Sequence, residues 1–119
     1  MSNTVYYINT NIVAKYREFN RESNPFPIWL GLPLKDVKSL ENDIKINGIV
    51  NPLEIMVYKG KTLLVEGNHR LSIALKLKFK KVPIKFTTPT SDYDLNYFQE
   101  RKEKYVKLDN DLIKILEVL

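Results

Sequence analysis

The sequence predicts an α+β fold, a small mixed β-sheet with helices packed against it. Three observations carry that reading. Val37, Leu40 and Ile44 recur at helical spacing. Two β-prone runs flank Lys59-Gly60 as a hairpin would. The run Val65-Glu66-Gly67-Asn68-His69-Arg70-Leu71-Ser72-Ile73-Ala74 reads as a buried strand, a tight turn and the first turn of a helix.

The elements follow in order. Val5–Ile8 suits a short first strand, and residues 9–19 are only weakly helical. Ser23-Asn24-Pro25-Phe26-Pro27-Ile28-Trp29-Leu30 cannot be regular helix, because each proline restricts itself and the residue before it. An ordered loop pinned by Phe26 and Trp29 is expected there. A helix is predicted from Lys35 to Asn47, with Gly48 as a left-handed cap. Leu53–Val57 and Thr62–Val65 form the hairpin strands. Arg70–Leu77 is a helix more apolar than a surface position needs, so it should lie deep against the sheet. Val82–Phe86 is the next strand, with Pro83 favouring a sheet edge or a strand start. Thr87–Ser91 is a polar loop. Residues 92–119 form a helical extension, with Leu95, Phe98 and Tyr105 on one pattern and a last helix from about Asn110 to Leu119, apolar at Leu112–Leu119, that either packs in the core or is covered by a partner.

Composition narrows the function. At 119 residues, 44% hydrophobic and 28% charged, the chain suits one folded domain spanning 1–119. It has no cysteine, which excludes disulfides, thiolate metal sites and a cysteine nucleophile, and fits a reducing, cytoplasmic setting. No apolar run is long enough to span a bilayer and no signal-peptide pattern follows Met1, so no membrane partner is expected. The formal charge of +5 is compatible with nucleic acid or a phosphorylated ligand.

The chemistry concentrates at Glu66-Gly67-Asn68-His69-Arg70. The first N–H groups of a helix lack internal partners and carry partial positive charge, so such a turn can hold an anion. Gly67 lets backbone approach a ligand, Asn68 can cap the helix, and His69, Arg70 and Ser72 can donate to phosphate oxygens. Glu66 can hold magnesium on a nucleotide, since that ion takes one or two carboxylates together with phosphates. Glu66 and His69 are thus the candidate catalytic residues. The plain alternative is a tight turn with a cap and surface ion pairs. Glu41, Asp43 and Glu54 are further carboxylates, which spacing does not bring to Glu66. One histidine without a second nitrogen or sulfur ligand speaks against a protein-only metal site. Lys76, Lys78, Lys80, Lys81 and Lys85 form a basic run, either a nucleic-acid face or a solvated helix end. The tyrosines Tyr6, Tyr7, Tyr16, Tyr93, Tyr97 and Tyr105 stand apart from it and suit a core or an interface.

The run from Leu34 to Phe86 resembles the ParB/sulfiredoxin-like superfamily, the ParB N-terminal-like domain, over a little under half of the chain. The resemblance lies in the order of Lys38-Ser39-Leu40 to Gly48-Ile49, then Asn51-Pro52-Leu53, the Glu66–Arg70 turn, and Val82-Pro83-Ile84. That superfamily includes partition proteins that bind CTP, sulfiredoxins that use ATP, an ADP-dependent serine kinase and proposed nucleases. Partition proteins carry Gly-Glu-Arg-Arg where this chain has Gly67-Asn68-His69-Arg70, and Ser72 stands where they carry a further arginine. Sulfiredoxins carry their catalytic cysteine where this chain has Asn68, so that chemistry is not expected. The acidic-Gly-x-His-Arg pattern of the serine kinase branch looks most like Glu66–Arg70. The resemblance implies a stand-alone domain that binds ATP, ADP or CTP with magnesium, with phosphoryl-transfer or hydrolase activity in reach. A DNA-binding protein or small ParB-like nuclease using the lysines is the competing reading. An inactive interaction domain, dimerising through its C-terminal helices, is the third.

Overall fold

The computed structural model describes residues 4–17, 33–101 and 106–107. Among them the chain runs β1 (Tyr6–Asn9), α1 (Thr10–Ala14), α2 (Leu34–Asn47), β2 (Leu53–Tyr58), β3 (Lys61–Glu66), α3 (Asn68–Lys76), β4 (Lys81–Thr87), α4 (Asp92–Glu100) and β5 (Val106–Lys107). The strands form one sheet in the order β1-β4-β2-β3-β5. The β2–β4 pair is parallel and the other three are antiparallel, so the sheet is mixed. Chain direction explains this. A two-residue turn at Lys59-Gly60, both with positive φ, reverses β2 into β3. The α3 helix then carries the chain across β2 to lay β4 on its far side.

Strand alternation sorts side chains to two faces. Leu53, Ile55, Leu64, Val82, Ile84 and Phe86 join Leu71 and Ala74 of α3 and Val13 of α1 in the main core. Ile73 of α3 meets Val37 and Ile44 of α2, so α2 packs outside α3. Met56 and Leu63 point the other way and are covered by Phe98 of α4. The predicted burial of α3 is therefore observed, with Leu71, Ser72, Ile73 and Ala74 all buried.

Several expectations change. Gly48 caps α2 with the expected positive φ, 71°, and only its ψ of −169° departs from a left-handed helical residue. Pro83 is not on an edge strand, since β4 lies between β1 and β2. The β2–β4 ladder begins one residue later, at Leu53 opposite Ile84, so the proline sits ahead of it. Tyr16 is buried as expected, whereas Tyr7 and Tyr93 are exposed. The helix from Asp92 stops at Glu100, and Val106–Lys107 instead pairs with β3, whose outer edge offers free backbone groups. The Ser23–Leu30 loop, Tyr105 and the Leu112–Leu119 helix, with any dimer through it, lie outside the described residues. No described helix is long and apolar enough to cross a membrane.

Candidate functional site

The strand β3 ends at Glu66, and Gly67 turns the chain into α3 with φ 103° and ψ 20°. A side chain here would meet two obstacles. The backbone is left-handed, which L residues avoid. A Cβ would also lie 2.6 Å from Leu53 Cγ and 3.1 Å from Leu53 Cβ. The Gly67 carbonyl accepts from the Leu71 N–H at 2.9 Å, so Gly67 is itself the N-cap residue. Asn68 is the first helical residue and caps nothing, contrary to the expected role. No side chain caps α3. Asn68 and His69, the first two residues of the helix, are half-buried.

Ser72 is not at that surface. Its hydroxyl is buried one turn below, donating to the Asn68 carbonyl at 3.0 Å and accepting from Arg17 Nη2 at 3.2 Å. The Ser72 side chain thus cannot take a phosphate, and it belongs to the support of the turn. Arg17 is fully buried, and burial lowers its pKa to about 10, which leaves it cationic at neutral pH.

Arg70 also has partners. Its Nη1 donates to the Asn51 carbonyl and to the Pro52 carbonyl, the latter at 3.3 Å. Its Nη2 lies 3.8 Å from Glu66 Oε1. The guanidinium fastens the segment before β2 to the turn after β3, and 19% of the side chain remains accessible. The Glu66 side chain is 65% accessible and keeps most of its acceptor capacity.

The β2–β3 ladder places Glu54 opposite Glu66, a pairing that sequence spacing does not reveal. Both line a cleft of about 500 Å³ together with Thr87, Thr88, Thr90, Tyr93, Asp94 and Tyr97. The carboxylates have modest anchors. Glu54 Oε1 is 3.7 Å from Lys85 Nζ. Asp94 Oδ2 accepts from the Thr90 N–H and hydroxyl, both at 3.1 Å. The Thr87 hydroxyl oxygen is buried with no hydrogen-bond partner among the described residues. Arg101 stacks on Tyr97, with its Cζ 3.6 Å from the ring centroid. Except for Glu54 and Glu66, these lining residues were invisible as a group in the sequence. The signal was a hydroxyl-rich stretch before a helix, which reads equally well as a loop. Among the described residues no cluster of three or more acidic or histidine side chains is arranged to hold a metal unaided.

The basic run divides. Lys76 Nζ is 2.7 Å from Glu41 Oε1, and Lys85 pairs with Glu54. Lys78, Lys80 and Lys81 are exposed at the opposite end of α3 from Gly67 and pair with no carboxylate among the described residues. The run is thus divided between paired and unpaired lysines among the described residues.

No protein-family model matches the sequence, and no curated protein matches it. Solved structures do. Sulfiredoxin from Arabidopsis thaliana aligns with a TM-score of 0.52 at 16% identity, over 82% of this chain and 96% of that one. The C-terminally truncated chromosome-partitioning protein ParB from Caulobacter crescentus, complexed with CTP-γ-S, aligns with a TM-score of 0.51 at 16% identity. That match covers 88% of this chain and 56% of that one, so this chain corresponds to a little over half of the partitioning protein. The chain has the ParB/sulfiredoxin-like fold.

Proposed function

We propose that this chain binds a nucleotide or a similar phosphate ligand at the Glu66–Arg70 turn. One observation carries the reading: α3 begins at an uncapped N-terminus behind a glycine that nothing else can replace without strain. An anion there would meet backbone N–H groups at the positive end of the helix dipole. The partitioning protein with this fold forms a complex with a nucleotide analogue, which supports the reading by fold.

The roles divide by exposure. On this reading Asn68 and His69, at the start of α3, donate to phosphate oxygens. Arg70 positions the turn through the Asn51 and Pro52 carbonyls and lends its charge at short range. Glu66, exposed and facing Glu54 across the ladder, suits a magnesium ion carried by the phosphates. Such an ion would screen phosphate charge beside the two carboxylates. The carboxylates and hydroxyls of the neighbouring cleft suit the hydroxyl groups of a sugar. Glu66 and His69 are the side chains available for phosphoryl transfer or hydrolysis. Sulfiredoxin chemistry is not proposed, because Asn68 stands in a chain without cysteine.

The test is a thermal-shift and calorimetric comparison of ATP, ADP and CTP, each with and without magnesium. A ligand that binds only the native state raises Tm by mass action. His69→Ala is expected to weaken binding by about 10- to 100-fold, the usual worth of a hydrogen bond to a charged group. Glu66→Gln should remove most of the magnesium dependence. A parent protein whose Tm responds to none of these nucleotides would end the proposal.

A further inference from the structure

The two edges of the sheet end differently. The outer side of β3 is paired with β5, whereas among the described residues no strand pairs with the outer side of β1. The ladder shows which backbone groups of β1 face outward. The Thr10 N–H donates to the Lys80 carbonyl at 2.9 Å, and this pair continues the β1–β4 register by one residue. Opposed residues in an antiparallel ladder alternate between pairs that exchange hydrogen bonds and pairs that exchange none. Ile8 with Val82 and Tyr6 with Ile84 are therefore bonded pairs, and Tyr7 with Pro83 is not. Pro83 has no N–H to give, which suits it to that place. The N–H and C=O of Tyr7 thus point away from β4 to the open edge, as does the N–H of Asn9.

Sheet edges are commonly blunted by a charge, a proline, a bulge or a covering element. β1 carries none of these. Thr4-Val5-Tyr6-Tyr7-Ile8-Asn9 is uncharged and free of proline, and its register with β4 runs without a shift. Tyr7 is 68% exposed and Val5 39%. At the opposite edge β5 is only two residues long and presents Lys107.

We infer that the outer edge of β1 pairs antiparallel with β1 of a second copy, across a twofold axis at Tyr7. In that register Tyr7 meets Tyr7 of the copy, and the two exchange both of their outward hydrogen bonds. Tyr6 then stands opposite Ile8, an aromatic with a β-branched residue, and Val5 stands opposite Asn9. The Asn9 N–H of each copy reaches the Val5 carbonyl of the other, which makes four bonds in all. No charge opposes a like charge. The strand is its own complement, as a twofold interface requires. A foreign strand would be selected through pockets for its alternate side chains. Neither the cleft beside α4 nor the concavity past Asn9 is lined by any of Val5 to Ile8. One strand pair buries less than the about 1,200 Å² of a standard interface, so the dimer dissociates on dilution. The Glu66–Arg70 turn takes no part in it.

The experiment is sedimentation velocity on the full chain from about 1 μM to about 1 mM protein. The parent should pass from monomer to dimer within that range. Tyr7→Pro removes the N–H that the chain's own ladder leaves unused, so the monomer should keep its Tm. It deletes two of the four bonds between copies and should weaken dimerisation by about 5- to 150-fold. Cross-linking reads the register. The chain has no cysteine, so Tyr7→Cys introduces one thiol per copy at an exposed position. The axis brings its Cα within about 5.5 Å of its mate, inside disulfide reach, and diamide oxidation should link the copies. Val5→Cys places the two thiols about 13 Å apart along the strands and should link far more slowly. The inference is overturned if the parent stays monomeric throughout, if folded Tyr7→Pro dimerises as the parent does, or if Val5→Cys links as fast as Tyr7→Cys.

Discussion

At Gly67 two constraints coincide, a left-handed backbone and Leu53 pressed against the Cα. Gly67→Ala should therefore lower stability by about 1–3 kcal/mol from backbone strain alone, with more from displacing Leu53. Urea denaturation measures this, and an unchanged midpoint would show that the turn relaxes freely. Arg70 and Ser72 illustrate a second point at this scale. Both types suit a phosphate ligand, and both are engaged by the protein. Ser72 answers to Arg17, 55 residues away in sequence. Arg70 answers to carbonyls 18 and 19 residues away. Residue type states what a side chain can donate, and its neighbours decide where the donation goes.

At the scale of elements, α2 is held on α3 by Val37, Ile44 and Ile73 and by one ion pair, Lys76 with Glu41. The hydrogen bond from Lys76 is the main cause that holds the Glu41 pKa below its ordinary value, against the opposing effect of desolvation. A depressed carboxylate pKa means the unfolded state takes up protons first as pH falls. The pair's stabilisation is thus complete above the ordinary carboxylate pKa and is lost as pH falls through the lower, folded-state value. Lys76 is more than half exposed, so the pair is worth only about 0.2–1 kcal/mol. Glu41→Gln should cost about that much at pH 7 and nothing below the folded-state pKa. Melting curves across acid pH check this, and a pH-independent difference would assign the cost to packing instead. On the opposite face of the sheet, α4 depends on Phe98, which is almost fully buried over Met56 and Leu63. Phe98→Ala should cost about 3–5 kcal/mol. It should also open the cleft, because Tyr93, Asp94 and Tyr97 ride on the same helix.

Across the whole molecule, opposite chemistries sit apart on one small frame. The formal charge is +5, yet Glu54, Glu66 and Asp94 share one cleft, while Lys78, Lys80 and Lys81 share one helix end. Local signals were enough for the order of elements from α2 to α4, the Lys59-Gly60 hairpin, the strand–turn–helix at Gly67 and the burial of α3, but not for β5. Each depends on residues within a few positions of one another, and side-chain periods of two or about 3.6 record it directly. The motif order also carried the ParB/sulfiredoxin-like fold at an identity of 16% to its structural neighbours. Long-range pairing escaped the sequence. A period of two tells Met56 from Ile55 but not which helix covers each, and Glu54 meets Glu66 only through a ladder broken by an irregularity between Glu54 and Ile55. Pro83 read as an edge residue or a strand start, and only the sheet order shows that it lies near the start of an inner strand, ahead of the β2–β4 ladder. Arg17 reaches Ser72, and the Asn51 and Pro52 carbonyls reach Arg70, from segments that residue type alone does not connect. Periodicity and turn chemistry are short-range quantities, whereas the cleft, the buried Arg17–Ser72 pair and the division of the lysines arise only when remote segments are packed together.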